Sequence, residues 1–264
     1  MIQMPALSRL YDSEFYRGQR GSSFDAASAI LPVVVGLVAP HSIVDVGCGA
    51  GTWLAAAERL GVQRLVGLEG SWVSATDLLS PAIRLVTHDL EQPIRLQEEF
   101  DLAMSLEVAE HVSERRADAL VSELCSLAPC ILFGAAIPGQ GGVNHVNEQW
   151  QSYWARKFAA HDYRPLDIIR PAFWQRDEIP VHYRQNTLLY ACADKFDALM
   201  ARHGDERAPA WALDIVHPAV HLSNYEALVA PMSIGQSLRA VAALPRAVGR
   251  SIRSRFARAR GTRG

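Results

Sequence analysis

The sequence predicts an α/β protein: a mostly parallel, seven-stranded sheet with an edge hairpin, covered by helices. Three observations lead there. Short apolar, β-rich runs alternate with longer helical patterns between about residues 40 and 193, and such alternation folds as strand–helix–strand units. A glycine-rich turn closes the first strand–helix step. The last two apolar runs lack a long helix between them, so they pair antiparallel at one edge.

The elements follow in order. Residues 1–39 form a leader, with Tyr11, Phe15, Tyr16, Arg17 and Arg20, running into a helical stretch, SFDAASAILPVVVGLV. Buried strands are expected at HSIVDVG, RLVGLE, AIRLVTHD, FDLAMSLE and CILFGAAIP, and helices at TWLAAAERLG, SWVSATDLL and SERRADALVSELCSLA. The edge hairpin is assigned to LDIIR (166–170) and QNTLLYACA (185–193). Residues 40–195 are thus read as the central domain and 196–264 as a helical extension.

Composition narrows the class. Of 264 residues, 49% are hydrophobic and 20% charged, an ordinary globular balance that excludes disorder throughout. Cys48, Cys125, Cys130 and Cys192 are too scattered for a disulfide framework or a zinc pair. The apolar stretch around residues 29–39 is interrupted by Pro32 and Gly36 and falls short of the roughly 20 residues that span a bilayer. The N-terminus lacks the pattern of a signal peptide. A reduced, cytoplasmic protein is expected.

The formal charge of −2 hides an asymmetry. After Glu226 come eight arginines and no acid; without them, 18 basic residues face 28 acidic ones, a formal charge of −10. From Gln236 onward, Val241, Leu244, Val248, Ile252 and Phe256 share one helical face and the arginines the other. Such a tail is either a plain solvated extension or suits a membrane surface or a partner protein, the membrane reading implying peripheral attachment at the inner face of the membrane. The acidic body argues against a nucleic-acid partner.

The strongest local signal is Val44-Asp45-Val46-Gly47-Cys48-Gly49-Ala50-Gly51-Thr52-Trp53 at the first strand-to-helix turn. Glycines let a backbone approach a ligand closely, and the following helix offers unpaired N–H groups. The spacing is GxGxG, not the GxGxxG typical of dehydrogenases. Glu69, 22 residues after Gly47, stands where the second strand ends, suited to a ribose diol, and Asp89 ends the third, suited to an adenine amino group. Taken singly, each acid is equally a plain helix cap.

With these residues the chain resembles class I S-adenosylmethionine-dependent methyltransferases over about residues 40–193. The resemblance implies cofactor contacts from Asp45, Gly47, Gly49 and Gly51, from Trp53, from Glu69, Asp89 and Leu90, and from Leu106. It also fits the edge hairpin and disfavours a nicotinamide-dependent dehydrogenase.

A second constellation follows the fourth strand. If the chain turns helical there, Glu107, Glu110 and His111 share one face, and His145 follows the fifth strand in a glycine-rich loop. Two carboxylates with two imidazoles make a credible octahedral site for Mg²⁺ or Mn²⁺. The set resembles that of metal-dependent small-RNA 2′-O-methyltransferases, and its ExxEH part also resembles ubiquinone-pathway O-methyltransferases. Without metal, His111 or His145 acts as general base while Glu107 and its neighbour bind acceptor hydroxyls. The plainest alternative is packing and loop ordering. Trp150, Tyr153, Trp154 and Phe158, at helical spacing, read as core before they read as a sugar platform.

The expectation is an S-adenosylmethionine-dependent O-methyltransferase acting on a sugar or glycolipid hydroxyl. The stretch GQGGVNHVNEQW resembles bacterial methyltransferase-domain proteins of polysaccharide pathways. Quinone, polyketide or other small-molecule O-methylation, RNA 2′-O-methylation and a non-catalytic cofactor-binding module remain as alternatives.

Overall fold

The structure, a computed structural model, describes residues 13–203 and 212–229, with side chains over 21–202 and 212–224. The basic tail and the leader side chains therefore lie outside the described residues. The chain divides between His221 and Leu222 into two compact units. Of the second, only the end of helix α8 (Pro218–Val229) is described.

In the first unit, α1 (Ser13–Val38) precedes β1 (Ser42–Val46), α2 (Thr52–Arg59), β2 (Arg64–Glu69) and β3 (Ile83–Thr87). Then come β4 (Leu102–Leu106), α3 (Ala117–Leu127), β5 (Cys130–Gly134), α4 (Gln151–Ala159) and β6 (Tyr163–Leu166). Two short helices, α5 (Ile169–Phe173) and α6 (Val181–Asn186), lead into β7 (Leu188–Cys192) and α7 (Ala193–His203).

The strands order as β3-β2-β1-β4-β5-β7-β6, as expected a seven-stranded mixed sheet. β1 pairs in parallel with β2 and β4, while β7 runs antiparallel to both β5 and β6. Chain direction across the sheet reverses between β1 and β4, and sheets of this kind bind ligands at such a switch point. Strand residues alternate between two apolar layers. Ile43, Leu65, Leu102 and Leu132 face α1, α2 and α7, whereas Val44, Val66, Ala103 and Phe133 face α3 and α4. Burial on both faces explains why these strands are apolar throughout rather than alternating.

Three expectations are corrected. SWVSATDLL closes only one 3-10 turn, Ala75–Asp77, fixed by a reciprocal Ser74–Asp77 capping box, before Pro81. In LDIIR only Leu166 belongs to a strand; β6 begins earlier, at Tyr163, and Ile169–Phe173 is helical. Arg170 grips Asp167 one turn back, and Pro171 supplies no N–H for a ladder. Finally, the apolar stretch near residue 30 belongs to a 26-residue helix, whose Gly21–Val38 part is long and apolar enough to cross a membrane by length and composition. Its Ala26, Ala27, Ile30, Leu31, Val34 and Leu37 are buried in the sheet's own core, along one face of the helix.

Trp154 and Phe158 are buried, as expected of core residues. Phe158 stacks on Tyr190 at 4.0 Å, and Phe133 meets both Trp154 and Phe158 edge-on or tilted at 5.2 Å. Trp150 is exposed, and Tyr153 carries Lys157 over its ring.

Candidate active site

A cavity of about 450 Å³ opens at the carboxyl ends of β1 and β4, within the usual range for small-molecule sites. Its donor side is built by the glycine loop. Gly47, Gly49 and Gly51 have φ of 84°, 51° and 72°, a region L side chains rarely adopt. Space is equally decisive. A Cβ at Gly47 would lie 2.4 Å from the Val108 side chain, and one at Gly51 2.7 Å from Ile83. Gly47 and Cys48 both donate to the Leu68 carbonyl, which pins the loop against β2. Gly51 caps α2 without a side-chain bond, leaving first-turn N–H groups unsatisfied.

Asp45 and Glu69 lie beside this loop, both buried. Burial, with Glu69 nearby, pushes the Asp45 carboxyl up to about 8. Glu69 accepts from Gly49 N–H at 2.7 Å and Gly70 N–H at 2.8 Å, and also from the Trp72 side chain. Burial nevertheless holds its carboxyl above the usual range. Asp89 closes a turn, accepting from Glu91 N–H at 3.0 Å, and Leu90 follows it into the wall. Trp53 and Leu106 also line the cavity; Gly51 does not, and serves as the start of α2. Trp53 meets Tyr183 of α6 edge-on at 5.2 Å, and the Tyr183 hydroxyl donates to Ser23 of α1 at 3.2 Å.

The acceptor side differs from expectation at one residue. Glu107 has a φ of 56° and is not helical; only Ala109–His111 forms a 3-10 turn. Such a backbone costs a non-glycine residue about 1–2 kcal/mol. Glu110, His111 and His145 come together, offering ligand atoms within 4.8 Å of one another. Glu107 is not among them, because amide groups of Asn186 and Gln140 hold its carboxylate.

Glu110 is fully buried, its oxygens near the Glu110 and Ala136 amides but without a hydrogen bond of normal geometry. Burial and the Glu107 charge drive its carboxyl well upward. Burial and the His145 ring, 4.8 Å away, pull His111 down to about 4. The His111 Nδ1 pairs with the Asn144 carbonyl at 3.3 Å, and the His145 Nδ1 with Glu148 at 2.9 Å. Glu148 also accepts from Gly139 and Gly141 N–H, so it folds the glycine-rich loop around His145. These bonds, led by that from His145, hold Glu148 below the usual carboxylate range despite its burial.

Sequence reasoning missed Glu148, Gln140, Asn186 and Tyr183. The available signal was a pair of polar residues, Gln185 and Asn186, directly before an apolar strand, and Gln140 and Glu148 bracketing the glycine-rich loop.

Comparison with known proteins agrees with the geometry. Residues 43–128 match the family model of a methyltransferase domain. No curated protein matches the sequence. The fold is shared with the sugar N-methyltransferase KedS8 of Streptoalloteichus sp ATCC 53650 (TM-score 0.53, 16% identity, covering 73% of this chain and 96% of that one). It is shared too with a chain from the complex of the Haloferax volcanii Trm112 methyltransferase activator with a methyltransferase (TM-score 0.50, 14% identity, 69% and 95%). A match to Streptomyces venezuelae DesVI, at TM-score 0.42 and 20% identity, covers 52% of this chain and spans 61% of that protein. Fold, glycine loop and flanking acids define the class I methyltransferases. Over residues 43–128, this chain carries a methyltransferase domain on the fold that S-adenosylmethionine-dependent methyltransferases of that class share.

Proposed function

We propose that the protein methylates a hydroxyl of a saccharide-type acceptor. The single observation that carries the reading is the His145–Glu148 pair, bonded at 2.9 Å, on the cavity that the glycine loop also lines. Glu148 engages Nδ1 and leaves Nε2 of His145 to take the proton of an acceptor hydroxyl, which is a poor nucleophile without a base. S-adenosylmethionine, when bound, supplies an electrophilic methyl group on a sulfonium. Gly47, Gly49, Asp45, Glu69 and Asp89 would hold it, and the fit rests on the close backbone approach that the glycines allow and on the buried acids Asp45 and Glu69, with no Lys or Arg on the cavity wall among the described residues. The carboxylates around the acceptor end favour a hydroxyl-rich partner over an apolar quinone or polyketide, and KedS8, which shares the fold, is a sugar methyltransferase.

A second reading, of the same reaction assisted by Mg²⁺ or Mn²⁺, is favoured by the clustering of Glu110, His111 and His145. Both imidazoles have Nδ1 tied to an oxygen, the usual outer-shell arrangement of metal-binding histidines. The residues would suit such an ion, which would orient the acceptor and lower its pKa.

The test is transfer of labelled methyl to a panel of neutral glycans, before and after exhaustive chelation. Full activity after chelation supports His145 as base; activity restored only by added Mn²⁺ or Mg²⁺ supports the metal. Label appearing in no saccharide defeats the proposal. His145→Ala should lower the rate by about 10²- to 10⁴-fold in the base reading.

A further inference from the structure

Glu107 is held with unusual care. Asn186 Nδ2 donates to one carboxylate oxygen at 2.9 Å, and Gln140 Nε2 to the other at 3.1 Å. The two amides also brace each other, Asn186 Nδ2 donating to Gln140 Oε1 at 3.0 Å. Behind them the line continues. Gln185 Nε2 donates to Asn186 Oδ1 at 2.9 Å, and His217 N–H donates to Gln185 Oε1 at 2.7 Å. Gln185 and Asn186 are buried completely or nearly so, at 0% and 2% exposure.

Burying primary amides is unfavourable unless their hydrogen bonds are made. Here they are made in a line that ends on one half-buried carboxylate at the cavity wall, on a strained left-handed backbone. Strain and buried polarity converging on one side chain point to a role for its position. Each oxygen keeps acceptor capacity beyond the amide it already receives. The surroundings limit what it can receive. Setting aside Asp45, Glu69 and Glu110, whose burial favours the neutral acid, Asp89, Glu91 and Glu107 still line the cavity, and no Lys or Arg does among the described residues. A negatively charged acceptor group would meet repulsion there.

We infer that Glu107 anchors the acceptor, that Gln140 and Asn186 are its positioning residues, and that the acceptor presents hydroxyl or ammonium donors and no negative charge in the cavity. This rests on the saccharide reading above. It separates Glu107 from the three-group cluster of Glu110, His111 and His145.

The test uses the full chain loaded with S-adenosylhomocysteine and titrated, by ligand-observed NMR, with methyl α-D-glucopyranoside, D-glucosamine and D-glucose 6-phosphate. The two unphosphorylated sugars should bind at least about tenfold more tightly than the phosphate, and Glu107→Gln should weaken them about tenfold. Glu107→Gln should leave the affinity for S-adenosylhomocysteine unchanged. Gln140→Ala, at a half-buried loop position, should shift sugar affinity in the same direction by less, raising KM without lowering kcat on any sugar that is methylated. Sugar binding that ignores Glu107, or that favours the phosphate, overturns this inference alone. Binding of none of the three sugars overturns it together with the saccharide reading.

Discussion

Single residues carry the donor side through burial and charge. Glu69 is the clearest test. Its carboxylate joins β2 to the glycine loop, so Glu69→Ala should weaken S-adenosylmethionine binding about tenfold or more in calorimetry. Unchanged affinity would remove it from the donor site. Asp45 makes a second test, through protons. Its carboxyl holds a proton up to about pH 8 in the folded chain, against 3.8 for the ordinary group. Between those values the unfolded chain has lost that proton and the folded chain keeps it. The Asp45 contribution to stability is therefore full below about pH 4 and lost as pH rises through 8. Asp45→Asn should flatten the fall in melting temperature of the ligand-free protein across that window. A cationic ligand favours the ionised form, so binding S-adenosylmethionine at pH 7 should release up to about one proton, and the substitution should abolish the release. Heats of binding that do not vary with buffer ionisation enthalpy would contradict this.

Among elements, the turn from β1 into α2 matters most. Gly47→Ala places a Cβ against Val108 on a backbone with φ of 84°. It should cost about 1–3 kcal/mol in thermal unfolding and impair donor binding. A variant that melts and binds like the parent would show that the loop is slack. This turn was legible in the sequence because glycine spacing reports backbone conformation directly. The five parallel strands were legible too, since burial on both faces leaves an apolar run. SWVSATDLL was not, because a capping box in a short segment ends a turn as readily as it begins a helix. LDIIR was misread for a related reason. Three apolar residues, Leu166, Ile168 and Ile169, look alike as strand or helix, and the deciding contact, Arg170 with Asp167 and the carbonyls of Ala212 and Leu213, reaches over 40 residues along the chain. The acceptor side was half legible. His111 and His145 were found by residue type and chain position. The separation of Glu107 from Glu110 was hidden, because it depends on one left-handed residue and on amides supplied by the distant α6.

The whole molecule combines an acidic body with an arginine-rich tail. Truncation before Gln236 should reduce binding to anionic vesicles while leaving S-adenosylmethionine affinity intact. Equal retention of full-length and truncated chains on such vesicles would dismiss the tail as a surface anchor. The stretch from Ala212 to His217 has a different standing from that tail. Arg170 holds the carbonyls of Ala212 and Leu213, Ser152 donates to Asp214, and His217 joins Trp174 and Gln185. The expected domain end at residue 195 would remove these ties.

The cavity is thus inherited in two parcels. The first, complete by about residue 91, lies, apart from Ser22 and Ser23, inside the span matching the methyltransferase family model. The second starts at β4 and draws on residues as late as His217, most of them beyond that span. Exchanging the later parcel between related chains should therefore shift acceptor preference in a methyl-transfer assay while leaving the affinity for S-adenosylmethionine in place.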